Sequence, residues 1–141
     1  MFPSGSSPSN AYHVVGVETG VMAANPHKLV LMLYDGALLA LTMAKQAMKT
    51  NKVAEKGEEI SRAIEIITNG LMVSLDLQSG GEIATRLEAL YEYMCNRLFQ
   101  ANLHNNPVIL DEISGLLQEL KGAWEEIAKD PAVVSDSRKL A

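Results

Sequence analysis

Residues 26–50 read PHKLVLMLYDGALLALTMAKQAMKT, and this segment predicts a long helix that is apolar around most of its circumference. Its polar side chains recur mainly at spacings of seven and four, which places them on one edge of the helix. They are Lys28, Asp35, Thr42, Gln46 and Lys49. An ordinary bundle helix buries one apolar face, so this helix has more apolar side chains than one core requires. The excess predicts a second packing partner, inside the bundle or outside it.

The apolar side chains of this helix divide into a core set and a flanking set. Gly36 is expected to let a neighbouring helix approach closely. The flanking Met32, Leu39 and Met43 fit either the edge of a bundle or a binding surface, and the sequence leaves both alternatives open. The predicted core set is Leu33, Ala37, Leu41 and Ala44.

Composition limits the chain to one small domain. With 141 residues and 48% apolar content, it is long enough for a single packed core. The net charge is −5 and lysine and arginine do not cluster, which argues against nucleic acid as a partner. Cys95 is the only cysteine, so no internal disulfide can form, as is usual in a reducing compartment. A cytoplasmic location (cytosol) is therefore expected.

The two ends of the chain differ from the region between them. Residues 1–10 are rich in serine, proline and glycine and are expected to be disordered. Residues 11–24 are apolar, but Gly16 and Gly20 disfavour a stable helix, so this segment is a candidate detachable arm. The sequence has no Sec-type signal peptide and no run of about 20 uncharged apolar residues, so no membrane insertion is expected. Residues 130–141 are expected to form a flexible tail.

Three further helical segments follow the first. Their boundaries are predicted at about 53–78, 82–103 and 107–129, with short connections between them. Asn25-Pro26 and Asn106-Pro107 are typical of helix starts, since asparagine caps and proline suits the first helical position. Because short connections make successive helices antiparallel neighbours, residues 25–129 are predicted to form an all-α, antiparallel up-down-up-down four-helix bundle with an N-terminal arm.

Periodicity also predicts which side chains of these helices face the core. Ser79-Gly80-Gly81 is expected to end the second helix, because glycine tolerates the left-handed conformation that closes one. The inward set of the second helix is Val53, Ile60, Ile64, Ile67, Leu71 and Leu75. The inward set of the third helix is Ile83, Leu87, Leu90, Met94, Leu98 and Ala101.

A second apolar stripe is predicted on the side of the second helix opposite its core set. It consists of Ile66, Gly70, Val73 and Leu77, at spacings of four, three and four. Opposite faces of one helix cannot both enter one four-helix core, so the stripe predicts a groove for an amphipathic helix of a partner. Tyr93 and Phe99 add apolar surface off the core face of the third helix. The alternative is a structural homo-oligomer in which the excess apolar surface is the chain's own interface.

The sequence offers no candidate catalytic, metal-binding or cofactor-binding site. His13, His27 and His104 are far apart in the chain, and the Glu-x-x-His pairs of di-metal bundles do not occur. Cys95 has no obvious activating partner and is expected to be a buried, inert thiol. No nucleophile, base and oxyanion set is found, so the chain is expected not to be an enzyme and to need no cofactor.

Eight short motifs occur in order over roughly residues 11–128. They are AY (11–12), NPHKL (25–29), MLYDGA (32–37), IITNGL (66–71), LDLQSGGEIA (75–84), LYEYM (90–94), LFQANL (98–103) and AW (123–124). Each motif alone is weak evidence for a family, but the whole series, in this order and with this spacing, is specific. Together they resemble the FliS family of flagellar secretion chaperones, which are flagellin-specific export chaperones.

This resemblance implies an antiparallel four-helix bundle that acts as an export chaperone. Such a protein binds the disordered C-terminal region of flagellin in the cytoplasm, prevents premature polymerisation and delivers flagellin to the flagellar type III export apparatus. The implied partners also include the flagellar export gate and the flagellar anti-sigma factor, and a weak homodimer stays open. Tyr12 matches a family tyrosine in an arm that lies where flagellin otherwise binds. The predicted partner-binding residues are Tyr12, Val15, Val17, Ile66, Gly70, Val73, Leu77, Tyr93 and Phe99.

Overall fold

The computed structural model describes residues 25–77 and 80–127, and all regular structure within these ranges is helical. The predicted disordered N-terminus (1–10), detachable arm (11–24) and flexible tail (130–141) lie outside them. The helices are α1 (Pro26–Lys49), α2 (Val53–Ile66, continued by a π-helical segment at Ile67–Met72), α3 (Gly81–His104) and α4 (Pro107–Ile127). The prediction of an all-α four-helix bundle is confirmed.

Two of the helices begin as the sequence predicts. The Asn25 side chain accepts a hydrogen bond from the backbone N–H of Lys28 at 3.1 Å, and Pro26 is the first residue of α1. The Asn106 side chain accepts one from the backbone N–H of Val108 at 3.0 Å, directly before α4. In both places the asparagine satisfies a backbone N–H that has no partner within the helix.

The second helix ends earlier than the sequence predicts. Regular helix stops at Met72, whereas the pattern continues to position 78. After Met72 the chain forms a turn at Ser74. The backbone N–H and the hydroxyl of Ser74 both donate to the Gly70 carbonyl, at 3.2 and 2.7 Å respectively. The predicted stop signal belongs to the next helix, because Gly81 adopts a φ of +58° as the first residue of α3.

The buried core follows the predicted face of α1 closely and those of α2 and α3 in part. All four predicted core residues of α1 are buried. Val53 and Ile83, predicted to face inward, are instead exposed, and Tyr91 is buried on α3. Val53 and Ile83 both lie in the first turn of their helices. Periodicity identifies the face of a side chain but not how far a helix extends beyond its neighbours.

Two glycines bring α1 and α2 together. A Cβ atom on Gly36 would lie 3.3 Å from Cδ1 of Ile66, and one on Gly70 would lie 2.9 Å from Cδ2 of Leu33. Each glycine thus leaves room for a branched side chain of the other helix, which confirms the prediction for Gly36. These two sites are called the glycine contacts below. Because the earlier α1 residue meets the later α2 residue, the two helices pack with opposed chain directions.

The N-terminal turn of α1 is joined to the C-terminal part of α4 by a pair of aromatic rings. The rings of His27 and Trp124 stack with centroids 4.6 Å apart and an interplanar angle of 9°. The His27 Nε2–H donates to the Trp124 carbonyl at 2.8 Å, and the Trp124 Nε1–H donates to the His27 carbonyl at 2.9 Å. The sequence indicates no partner for His27, whereas this reciprocal pair closes one end of the bundle.

Buried polar side chains in the described ranges have partners. The hydroxyls of Tyr34 and Tyr91 are hydrogen-bonded at 2.8 Å inside the core. The buried ammonium of Lys56 donates to the Asn102 carbonyl at 3.1 Å and to Oδ1 of Asn105 at 3.2 Å. Lys56 therefore places a positive charge at the C-terminal end of α3, where the helix dipole is negative.

By length and composition α1 could cross a membrane. A core helix of a bundle passes the same test, and the structure supplies the packing that such a helix needs. Its almost completely buried leucines, Leu33 and Leu41, belong to the same core as Ile60, Met94 and Leu117 of the other helices.

Candidate functional site

The candidate residues of the arm lie outside the described part of the chain. These are Tyr12, Val15 and Val17. Their role in partner binding therefore stays a prediction. The remaining six candidates are all placed by the structure, on α2, in the connection after it, and on α3.

The first half of the predicted α2 stripe faces α1 rather than a free groove. Ile66 is half-buried at one glycine contact, and Gly70 is buried at the other. The prediction that Gly70 lies on an outer face, in a groove for a partner helix, is wrong. The reason is packing, because Leu33 of α1 fills the space where a Gly70 side chain would stand.

The second half of the stripe is open to solvent. Val73 and Leu77 are each 46% exposed and lie after the last residue of the π-helical segment. A π-helical turn closes one residue later than an α-helical turn, so the chain after it no longer keeps the α-helical register. This explains how Ile66 and Gly70 can face α1 while Val73 and Leu77 are exposed, although the four share one stripe in an ideal α-helix.

Tyr93 is an exposed residue of α3 that is held in place by α4. Its hydroxyl donates to Oε2 of Glu112, and the other carboxylate oxygen accepts from Nε of Arg97 at 3.1 Å. The hydrogen bond from Tyr93, followed by the contacts with Arg97, holds the pKa of Glu112 below its ordinary 4.5. The same hydrogen bond is the first cause that raises the pKa of Tyr93 above 10.0. The ring of Tyr93 is thus exposed to solvent while its hydroxyl is hydrogen-bonded to Glu112.

Phe99 belongs to a different part of the α3 surface from Tyr93. Its side chain is 60% exposed. Six positions along an α-helix correspond to a rotation of about 240°, which leaves the two side chains about 120° apart around the axis. Two residues on different sides of a helix cannot contact the same face of one bound helix. The structure therefore does not bring Tyr93 and Phe99 together.

Some exposed apolar residues fall outside the predicted site. The most exposed of these side chains are those of Leu39, Met43, Val53, Ile83, Leu103 and Val108. The sequence left Leu39 and Met43 open between bundle edge and binding surface, and the structure exposes both. No periodic pattern marks Val108 as exposed, because it begins the apolar run Val108-Ile109-Leu110, and such a run does not show which member faces outward.

The titratable groups of the described residues form no reaction centre. Burial, followed by the charge of Glu92, raises the pKa of the Cys95 thiol to about 11, which leaves it protonated at neutral pH. Across residues 25–77 and 80–127, no three His, Cys, Asp or Glu side chains lie together as metal ligands. What the surface does offer is exposed apolar side chains around a rigid core, an arrangement typical of protein binding.

Comparison with known proteins gives a consistent result. The family model described as flagellar protein FliS matches residues 8–131. The flagellar secretion chaperone FliS of Salmonella typhimurium is 49% identical over 118 residues, which cover 84% of this chain and 87% of that protein. That of Escherichia coli is 44% identical over 128 residues (91% and 94%), and that of Bacillus subtilis 32% over 120 residues (85% of each chain).

Proposed function

The chain belongs to the FliS family of flagellar secretion chaperones, and from this premise we propose that it binds the C-terminal region of flagellin. The family is one of chaperones and not of enzymes. In this proposal the chain keeps newly made flagellin from polymerising prematurely in the cytoplasm. It then delivers flagellin to the flagellar type III export apparatus.

One structural observation supports the proposal most directly. Val73 and Leu77 are exposed apolar side chains directly after a helix whose preceding turns are packed against α1. A rigid support with unpartnered apolar side chains suits an amphipathic client segment that otherwise associates with copies of itself. The client orders as it binds, and the entropy lost in ordering keeps the net affinity moderate for the area buried. Moderate affinity favours release at the export gate.

The arm is the second part of the proposal. Residues 11–24 are apolar and precede α1 directly. We propose that Tyr12, Val15 and Val17 cover the client surface of the empty chaperone and leave it when flagellin binds. The export gate and the flagellar anti-sigma factor are further proposed partners, supported by family membership alone.

Substitutions of the exposed pair test the client surface. A flagellin C-terminal peptide is titrated by calorimetry into the wild type and into Val73→Asp and Leu77→Asp. Loss of one buried Val or Leu contact and desolvation of the new carboxylate predict at least about tenfold weaker binding. Val53→Asp is the matched control, because Val53 is equally apolar and even more exposed at the other end of α2.

The opposite result would remove Val73 and Leu77 from the client site. That result is wild-type affinity in both variants, with circular dichroism showing that they are folded. Size-exclusion chromatography with light scattering tests the alternative function, a structural homo-oligomer. A tight dimer that does not bind flagellin would favour that alternative, whereas a chain that retains flagellin but not flagellin lacking its C-terminal region supports the chaperone.

A further inference from the structure

The chain that carries Val73 and Leu77 is held by backbone hydrogen bonds on both sides. Its start is tied to α2 by the hydrogen bonds of Ser74 described above. At its other side, the backbone N–H of Gly80 donates to the Asp76 carbonyl at 2.7 Å, and Leu77 directly follows that carbonyl. The two exposed side chains are therefore displayed between fixed points, which leaves less conformational entropy to lose when a partner binds.

No side chain fits at Gly80. A Cβ atom there would lie 2.6 Å from the Asp76 carbonyl oxygen and 2.7 Å from the Cβ of Ala84. Both distances are too short for real contacts of a Cβ atom, so a side chain at this position would force its neighbours apart. The requirement comes from close packing alone, because Gly80 has φ −76° and ψ −15°, an ordinary right-handed conformation.

The burial of Ala84 decides which neighbour has to move. Ala84 is 4% exposed and lies within α3, so the core fixes its position. Asp76 lies beyond Met72, the last residue of the π-helical segment, and before α3 begins. A side chain at Gly80 would therefore displace the Asp76 carbonyl rather than α3. Leu77 is bonded to that carbonyl and would move with it.

Gly81 differs from Gly80 in what it requires. No atom lies within 4 Å of the position that a Cβ on Gly81 would take, but its φ is +58°. This left-handed conformation is disfavoured for most side chains, and asparagine is among the few residues that tolerate it. Gly81 thus lets the chain turn into α3, whereas Gly80 lets the chain close against Asp76.

We propose that Gly80 is a positioning residue of the client surface, because it allows the Asp76 carbonyl to lie where Leu77 meets the partner. Gly80 acts through Leu77 and not through a contact of its own with the client. The inference rests on the proposed function, in which Leu77 contacts the C-terminal region of flagellin. It adds that affinity for this client depends on the absence of a side chain three residues further along the chain.

A double-mutant cycle on the full chain tests the proposal. The flagellin C-terminal peptide is titrated by calorimetry into the wild type, Leu77→Ala, Gly80→Ala and the double variant L77A/G80A. Loss of the leucine contact predicts about tenfold weaker binding for Leu77→Ala, and misplacement of the same contact predicts severalfold weaker binding for Gly80→Ala. Once Leu77 is replaced by alanine, Gly80→Ala is expected to weaken binding by less than about twofold, because the two substitutions remove one contact.

Two controls separate positioning from a general loss of structure. Gly81→Asn tolerates the φ of +58° and brings no Cβ close to another atom, so it is expected to keep wild-type affinity. Amide hydrogen exchange followed by NMR is the second control. In Gly80→Ala the backbone amide at position 80 is expected to exchange faster, while the amides of residues 91–101 keep the wild-type rate.

A second variant serves where Gly80→Ala lowers the yield of folded chain. G80A/A84G removes the contact with Ala84 but keeps the contact with the Asp76 carbonyl, so it is expected to show the same loss of affinity. Wild-type affinity in this variant would mean that the contact with α3 alone matters, and would contradict the proposal.

The remaining outcomes distinguish this inference from the proposed function. Wild-type affinity in Leu77→Ala would remove Leu77 from the client site, and the inference would fail with it. Weaker binding by Leu77→Ala together with wild-type affinity in Gly80→Ala would overturn the inference alone. So would an effect of Gly80→Ala that is equally large with leucine and with alanine at position 77.

Discussion

Gly70 shows how a single residue determines the packing of two helices. It is buried within the π-helical segment of α2, and the side chain of Leu33 occupies the space in front of it. A close approach of this kind requires a residue without a Cβ atom. The sequence suggested the same role for Gly36, but not for Gly70. An ideal helical projection places Gly70 on the outer face, since no projection of a single sequence anticipates a π-helical segment.

The substitution Gly70→Ala is predicted to destabilise the fold. The new Cβ would lie 2.9 and 3.2 Å from the two Cδ atoms of Leu33, so the helices or the leucine must shift. Overpacking of a core position costs about 1–3 kcal/mol of unfolding free energy. Urea denaturation followed by circular dichroism measures the difference. In a Leu33→Val background, which lacks those Cδ atoms, the cost of Gly70→Ala is expected to be smaller.

Gly57→Ala is the matched control in the same helix. No atom lies within 4 Å of the position that a Cβ on Gly57 would take. The substitution is therefore expected to stabilise the chain by about 0.5–1 kcal/mol, because alanine is the better helix former. Gly70→Ala is thus expected to lower the free energy of unfolding, and Gly57→Ala is expected to raise it. Equal effects would contradict the packing explanation for Gly70.

At the scale of elements, the number and order of helices could be predicted from the sequence, and the end of α2 could not. Asn25-Pro26 and Asn106-Pro107 are local signals, because cap and helix start lie within three residues of each other. Near the end of α2, Gly70 packs against Leu33 of α1, and this contact between distant parts of the chain leaves no mark on a periodic pattern. For the same reason, the sequence could not show that the predicted α2 stripe has a half that packs against α1 and a half that is exposed to solvent.

The stacked pair of His27 and Trp124 leads to a prediction about two helix ends. Trp124→Phe keeps an aromatic ring but removes the N–H that donates to the His27 carbonyl. The free energy of unfolding is expected to fall by about 0.5–1.5 kcal/mol, as for the loss of a typical hydrogen bond. In hydrogen–deuterium exchange, peptides from 26–32 and 120–127 are expected to exchange faster, while those from 53–66 keep the wild-type rate.

Phe99→Leu serves as the comparison for this variant. Phe99 is an aromatic residue of α3 that is mostly exposed, so its substitution is expected to change the unfolding free energy by less than about 0.5 kcal/mol. If Trp124→Phe accelerated exchange uniformly along all four helices, the ring pair would contribute to global stability only. Local acceleration at both ends is the result that identifies it as a link between α1 and α4.

At the scale of the whole molecule, apolar surface remains at several places after the core is complete. The sequence predicted this excess from α1, since its apolar side chains outnumber those that one core can bury. It could not predict where the excess becomes accessible, because exposure depends on which neighbour covers each flank. Leu39 and Met43 are uncovered, whereas Ile66 is covered by α1 at a glycine contact.

Removal of the proposed arm tests how the molecule keeps its client surface covered when empty. A chain without residues 1–24 is expected to bind the flagellin C-terminal peptide more tightly, because an internal competitor lowers apparent affinity by the fraction of time that the surface is free. If the arm covers the surface nine-tenths of the time, its removal lowers the Kd about tenfold by this relation. Calorimetry measures the change. A chain without residues 1–10 keeps Tyr12, Val15 and Val17 and is expected to retain wild-type affinity. Identical affinities for all three chains would contradict competition by the arm, and would leave the surface at Val73 and Leu77 to be judged by its own substitutions.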